Sequence, residues 1–322
     1  MLRIGSLTLP TPALLAPMSG ITDRPFRRLI RRCNPGDVGL YTTEFISAQA
    51  LWHRSDRSIQ MMRSDEDERP FAVQLFGREL APMLRAGQMA VEHGAQLVDI
   101  NCGCPAPKVV KRGGGASLMR EPDHLAKLVE TMVEGLPVPV TVKLRSGWDE
   151  QSINAIEVGR MAQEAGAAAV ALHPRSRQRL YSGEADWGLV SELRKALSVP
   201  VIGSGDIVEP ADVDRLTEGG LYMIGRGALN NPFIFRELAA ARRGEQLAEA
   251  SRPERLALLE AYAELLAEDL PDRAHLGRLK NLSNRMTMNW GVDGLRRKLL
   301  RAESVAQLLD AVRTAVDERS AA

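Results

Sequence analysis

The 322-residue chain contains no run of about eighteen or more apolar residues, so no membrane-spanning helix is expected. Its start, Met1 to Leu9, lacks the basic-then-apolar order of a secretory signal, and a cytoplasmic location is expected by default. Cysteine is scarce. Cys33, Cys102 and Cys104 are odd in number, and the last two lie too close in sequence for an ordinary structural disulfide, so reduced thiols are expected. There is little charge of either sign in excess: the net charge of +1 neither requires nor forbids a polyanionic partner, because a basic patch can be cancelled elsewhere. Repeats and low-complexity tracts are absent as well. What remains, 44% hydrophobic and 26% charged residues, is the composition of a globular chain that can bury a sizeable core.

Short β-branched or apolar runs recur along the first 240 or so residues, each ending in polar or glycine-containing residues and followed by a stretch of helical periodicity. Strands are expected at Ala13 to Met18, Leu40 to Glu44, Phe71 to Leu75, Leu97 to Asn101, Val138 to Leu144, Ala168 to His173, Val199 to Gly203 and Leu221 to Ile224. Helices are expected at Glu79 to Gly94, His124 to Glu134, Ile153 to Ala165 and Pro210 to Thr217. Eight such alternations predict an α/β fold, a (β/α)8 TIM barrel, with Leu2 to Leu9 as a hairpin closing its bottom. The polar segment Arg242 to Pro253 breaks the rhythm. Residues 1–243 are therefore read as the barrel and 251–322 as a helical domain, with helices at Leu256 to Leu270, Ala274 to Trp290 and Gly294 to Val316. The later helices carry Arg273, Arg278, Lys280, Arg285, Arg296, Arg297, Lys298 and Arg301 against Asp272 and Asp293. Such an excess is either a phosphate-contacting face or a solvated helix surface.

In a barrel of this kind the reactive groups sit at the C-terminal ends of the strands. Those ends are rich here: Pro17 and Met18, Glu44, Gln74, Asn101, Lys143 with Arg145, His173 with Arg175, Ser204 to Asp206, and Gly225 with Arg226. Gly203 to Asp206 and Gly225 to Ala228 follow the seventh and eighth strands, where barrels bind phosphate, although such loops also serve as plain tight turns. Lys143 projects a cation that an anionic ring would use, or else pairs with a carboxylate. Three readings compete for Cys102 and Cys104. A thiol on the Gly103-Cys104-Pro105 turn is partly exposed and protonated at neutral pH, so it can act as a general acid. Metal ligation lacks a second ligand pair, and inert packing suits Cys33 well and Cys102 moderately.

The chain resembles the bacterial tRNA-dihydrouridine synthases in Ala16-Pro17-Met18 with Ile21-Thr22-Asp23-Arg24, in Asn101 to Pro105, in Val142 to Trp148, in Tyr181-Ser182-Gly183 to Trp187, and in Ile224-Gly225-Arg226-Gly227. These motifs occur in family order across the whole barrel. The resemblance implies reduction of the C5=C6 bond of D-loop uridines in tRNA, with FMN as cofactor and NADPH as reductant. It implies FMN-ring contacts from Pro17, Met18, Ser19, Gln74, Lys143 and His173, and a phosphate site at Ser204, Gly205, Asp206, Gly225 and Arg226. Cys104 would be the catalytic acid and Asn101 would face the uracil. Arg145, Arg175, Arg278, Lys280, Arg285, Arg296 and Arg297 would face the tRNA, with neither DNA nor membrane as partner and the protein a monomer. One departure is visible: a common His-Gly-Arg-Thr stretch reads His173-Pro174-Arg175-Ser176, and the proline removes one N–H. The N-terminal third is similar to the B type, and Cys102 with Gly113 to Ala116 to the C type; B is preferred. The rival readings are an FMN barrel reducing a free pyrimidine or an enone, and a tRNA-binding chaperone without catalysis.

Overall fold

A computed structural model describes residues 2–245 and 247–318, the side chains of residues 214–216 excepted. Eight parallel strands form the barrel: β1 (Ala13–Leu15), β2 (Tyr41–Thr42), β3 (Phe71–Phe76), β4 (Leu97–Cys102), β5 (Val140–Arg145), β6 (Ala169–His173), β7 (Val201–Ser204) and β8 (Tyr222–Ile224). Neighbours pair in sequence order from β2 to β8, and β8 pairs with β1. A single parallel bridge between Leu14 and Leu40, with Leu15 N donating to Leu40 O at 3.0 Å, brings the two ends together. Each expected strand is present, although β1 and β2 are shorter than the sequence suggests, because the chain turns off the sheet at Ala16 and Thr43 to build the rim. A two-residue strand, Ile46–Ser47, extends the pairing with the end of β3 and was not expected.

Strand alternation divides the apolar residues into two sets. Leu14, Ala16, Leu40, Ala72, Leu97, Ala169, Ala171, Ile202 and Met223 fill the barrel interior. Leu15, Val73, Leu75, Ile100, Val142, Leu144 and Leu172 face outward, against the surrounding helices. The amino-terminal hairpin pairs Leu2–Ile4 with Leu7–Leu9 and inserts Ile4 and Leu9 into the interior set, so it plugs the bottom as expected.

The helix Ile234–Arg242 ends the barrel, and Arg252–Asp269 begins with a capping box between Ser251 and Glu254. It is followed by Asp272–Met286, Leu295–Arg301 and Val305–Asp317. The single helix expected from Gly294 to Val316 is thus two. Its break lies at Ala302 to Ser304, where Ser304 accepts from Gln307 N and caps a new start.

These helices share one apolar cluster with the outside of the barrel. Phe26, on the helix Arg24–Cys33 after β1, meets Tyr262 edge-on at 6.4 Å. Arg24 pairs with Asp269 and with Asp65, and Arg28 reaches Glu268 at 2.6 Å. Burying each of Leu259, Leu265, Leu266 and Tyr262 contributes about 1.5–3 kcal/mol, against roughly 1 kcal/mol or less for a part-exposed ion pair. Apolar burial therefore carries the docking, and the ion pairs set its register.

Candidate functional site

Alternation places Gln74 of β3, Asp99 and Asn101 of β4, Thr141 and Lys143 of β5 and His173 of β6 on the interior face, at the upper end of the barrel. Register aligns Asn101 with Lys143 and Gln74 with Asp99. Gln74 Nε2 donates to Asp99 Oδ2 at 2.6 Å, and Thr141 Oγ1 donates to Asp99 Oδ1 at 2.5 Å. Asn101 Nδ2 donates to Gln74 Oε1 at 2.7 Å. Burial pushes the Asp99 carboxyl up to about 6, opposed by these bonds and by the Lys143 charge. Burial first, and then Arg145, pulls the Lys143 ammonium down to about 8. Lys143 is half-buried, and its Nζ has no hydrogen-bond partner among the described residues.

Beside it, His173 is 9% exposed and held below the ordinary imidazole value, chiefly by burial and then by Lys143, Arg145, Arg175 and Arg226. Arg175 Nη1 lies 3.1 Å from His173 Nε2. A guanidinium only donates, so Nε2 accepts and the neutral ring carries its proton on Nδ1. Arg175 also bonds Ser182 O, Gly183 O and both oxygens of Asp206, at 2.5–3.3 Å. Asp206 accepts as well from Ala185 N at 2.7 Å. Gly205, at φ +122°, brings the backbone against the imidazole, so close that a Cβ there would stand 3.2 Å from His173 Cδ2. Gly225 faces Met18, whose Sδ lies 3.5 Å from the position a Cβ would take. Arg226 reaches Asp206 at 3.5 Å and lies over the ring of Tyr181, which Arg145 also approaches.

Ser204 is buried at the end of β7, Pro17 and Met18 are half-buried, and Ser19 is exposed on the rim. Met18 N donates to Thr22 Oγ1 at 2.9 Å, and Gly20 N donates to Glu44. The ring and phosphate candidates thus share one end of the barrel. Arg145 and Arg175, expected to face RNA, are each only 2% exposed. Arg145 donates to Gly103 O, Ser176 O and Leu180 O, so both guanidinium groups hold loops together.

Cys104 follows β4 on its turn. The sequence suggests partial exposure, but the residue is 9% exposed, because the loop through Gly115 closes over it and Ala116 N donates to Cys104 O at 3.1 Å. Gly115 holds φ +60°, where a Cβ would stand 2.6 Å from that carbonyl oxygen. Asn101 Oδ1 accepts from Gly103 N at 3.3 Å and from Cys104 N at 2.9 Å. Burial raises the Cys104 thiol above its ordinary value, so it stays protonated at neutral pH. Cys102 is fully buried on the outward face of β4, and Cys33 donates to Leu29 O and Pro232 O.

The basic residues of the later helices divide by environment. Arg278 pairs with Asp23 at 3.1 Å and lies 3.8 Å from Glu44, tying the helical region to the barrel rim. Lys280 donates to Leu300 O at 2.8 Å, and Arg285 contacts Asn281 and Asn230. Arg296 and Arg297 are exposed and unpartnered among the described residues. Asp99 escaped the sequence reading as a site residue. Its signal was the parity it shares with Asn101 within the apolar run Leu97 to Cys102.

The barrel is similar to those of other solved structures. It superposes on a mutant morphinone reductase in complex with tetrahydroNAD with a TM-score of 0.53, at 17% identity over 79% of this chain and 92% of that one. Histamine dehydrogenase from Rhizobium sp. 4-9 gives 0.57, at 14% identity over 82% of this chain and 50% of that one. At such identities the likeness shows the fold alone. Sequence relatives are nearer. The tRNA-dihydrouridine synthase B of Pseudomonas aeruginosa is 40% identical over 82% of this chain and 80% of its own length. A probable tRNA-dihydrouridine synthase of Rhodobacter capsulatus is 36% identical over 100% and 99%. Residues 14–320 match the family described as dihydrouridine synthase (Dus), and with these relatives the match shows that the chain belongs to the dihydrouridine synthase family.

Proposed function

We propose that this chain is a B-type tRNA-dihydrouridine synthase, which reduces the C5=C6 bond of particular D-loop uridines with FMN as cofactor and NADPH as reductant. The observation that carries the reading is a pair of groups at one barrel end: Lys143 on β5, an ammonium with no hydrogen-bond partner among the described residues, and Cys104, a protonated thiol on the turn after the neighbouring β4. The residues fit an anionic ring. Lys143 supplies the charge, Met18 an apolar edge, and neutral His173 a donor at Nδ1, while Gly205, at φ +122°, lets the backbone pack against that imidazole. Gly205, Gly225, Ser204 and Arg226 suit the phosphate, with Asp206 acting through Arg175 to fix the loop.

When bound, FMN supplies the hydride that no amino-acid side chain can give. The chain's own residues do the rest. Cys104 holds the proton destined for uridine C5, and burial keeps it on sulfur until a base arrives. Asn101, at the end of the strand that leads into it, fixes the thiol's turn. The target base leaves its stack to enter, and the exposed Arg296 and Arg297 suit the phosphates of the RNA that carries it. The protein acts on this reading as a cytoplasmic monomer. Among the described residues no helix is long and apolar enough to cross a membrane.

The test is to incubate the flavin-loaded protein with NADPH and an unmodified tRNA transcript and to map dihydrouridine by mass spectrometry. Dihydrouridine at defined D-loop positions is expected. Reduction of free uracil, orotate or an enone with the tRNA untouched would overturn the reading.

A further inference from the structure

We propose that Asp99 is a positioning residue for the chemistry at Cys104: its buried carboxylate orients two amides in series, and through them aims the turn that carries the thiol. The inference rests on the role given to Cys104 above. Asp99 lies on the interior face of β4, 5% exposed, directly below Asn101. Its carboxylate accepts from Thr141 Oγ1 at 2.5 Å and from Gln74 Nε2 at 2.6 Å.

An ionised carboxylate only accepts, so the nitrogen end of the Gln74 amide must face it and the oxygen end must face the other way. That oxygen meets Asn101 at 2.7 Å and can only accept, so the nitrogen of Asn101 must face it in turn. Asn101 Oδ1 is thereby directed to the turn, where Gly103 N and Cys104 N donate to it. The two ends of an amide have nearly the same shape, so packing alone does not choose between them. With Asp99 gone, both amides gain a flipped state of equal volume. In that state Asn101 presents an NH2 group to two backbone N–H donors, and the turn loses its only side-chain acceptor among the described residues.

A buried carboxylate is a poor device for stability, since removing it from water costs several kcal/mol before any bond is made. Burial does raise its carboxyl to about 6, and Lys143 is the cation that opposes this. An apolar residue would hold the strand as well, as Leu97 does one position pair below. An acceptor at this depth is of use where a fixed donor–acceptor order must be passed along a chain.

Three variants of the flavin-loaded protein test the proposal: Asp99→Asn, Asp99→Leu, and Asp99→Leu combined with Gln74→Leu. Two quantities are read, turnover on tRNA and the pH-dependent rate at which iodoacetamide alkylates Cys104, with Cys104→Ala as the blank for Cys33 and Cys102. Asp99→Asn keeps an oxygen toward Gln74, and the Thr141 hydroxyl can reverse to accept from the new NH2. Turnover within about threefold of the parent and an unchanged alkylation profile are expected. Asp99→Leu should lower kcat on the order of 100-fold, leave KM for tRNA within about twofold, and shift the alkylation profile.

The double variant removes the Gln74 amide that Asp99→Leu alone would orphan and shifts the unmet donor to Asn101 Nδ2 at the strand end, which keeps the test open if Asp99→Leu does not fold. It should match Asp99→Leu in both readouts. A folded, yellow Leu variant that alkylates and turns over like the parent overturns the proposal, as does lost turnover with an unchanged alkylation profile. If the parent protein reduces no tRNA uridine, the proposed function fails, while the alkylation readout still reports on the link from Asp99 to Cys104.

Discussion

Arg175 donates to His173 Nε2 at 3.1 Å and, through Nη2, to both oxygens of Asp206 at 2.7–2.8 Å, so one guanidinium joins the imidazole of β6 to the loop after β7. Arg175→Met removes the group that fixes the ring's tautomer and one of the cations that hold its proton affinity down. The His173 pKa should rise in ring-nitrogen NMR titrations, and FMN affinity should fall by about tenfold or more. An unchanged titration would show that Arg175 does not govern the ring.

Cys104→Ala should fold, stay yellow and lose uridine reduction by roughly 100-fold or more. The parent's rate should fall on the alkaline side only. The acid must be protonated and Lys143 charged; the ammonium is lost through about 8 and the thiol proton above the ordinary thiol value, so activity persists through neutral pH and falls as pH rises through both. A pH–rate profile for the tRNA step, taken with saturating NADPH, checks the sign. A fall already complete by about pH 8, below the ordinary thiol value, would contradict it.

Replacing Arg296 and Arg297 together by Ala should raise KM for tRNA about tenfold with kcat near the parent value. The salt dependence of binding should become shallower by roughly 0.7–0.9 in log–log slope for each phosphate no longer neutralised. NADPH oxidation in the absence of tRNA should not change. An unaltered salt slope would remove both residues from the RNA face.

Asp23, enclosed with Glu44 beneath Arg278, has its carboxyl raised to about 6, mainly by burial. The folded state then holds this proton more tightly than the unfolded chain, whose value is about 3.9. Between about pH 4 and pH 6 folding takes up a proton, so this group's contribution favours folding most at the acid end and is lost as pH rises through the folded value. The sign is opposite to that of a carboxylate whose pKa an ion pair has lowered. Asn keeps the N-cap on Phe26 N but cannot titrate. Relative to the parent, Asp23→Asn should therefore gain stability between about pH 4.5 and pH 7, by up to ~2 kcal/mol, in urea titrations at the two pH values.

All eight strands and the bottom hairpin were legible because period-two alternation and helical periodicity are local signals. The helix Pro210–Thr217 occurs with the bounds the sequence gives it. The break before Ser304 was missed: no glycine or proline marks it, and its one local signal is the short capping pattern Ser304-Val305-Ala306-Gln307. At the site, residue types at strand ends named the right neighbourhood but not the direction of each side chain. Arg145 and Arg175 read as exposed cations, yet their donors meet carbonyl groups contributed by the loops around them. Arg278 read as part of a basic face, and its partners, Asp23 and Glu44, belong to the opposite end of the chain. Such pairings depend on tertiary closure, which no local pattern reports.

The hairpin that lodges Ile4 and Leu9 in the floor of the barrel leaves, among the described residues, the upper rim as its open end. On the function proposed above, a reductant and a flipped nucleobase would both have to enter by that rim and would take turns there.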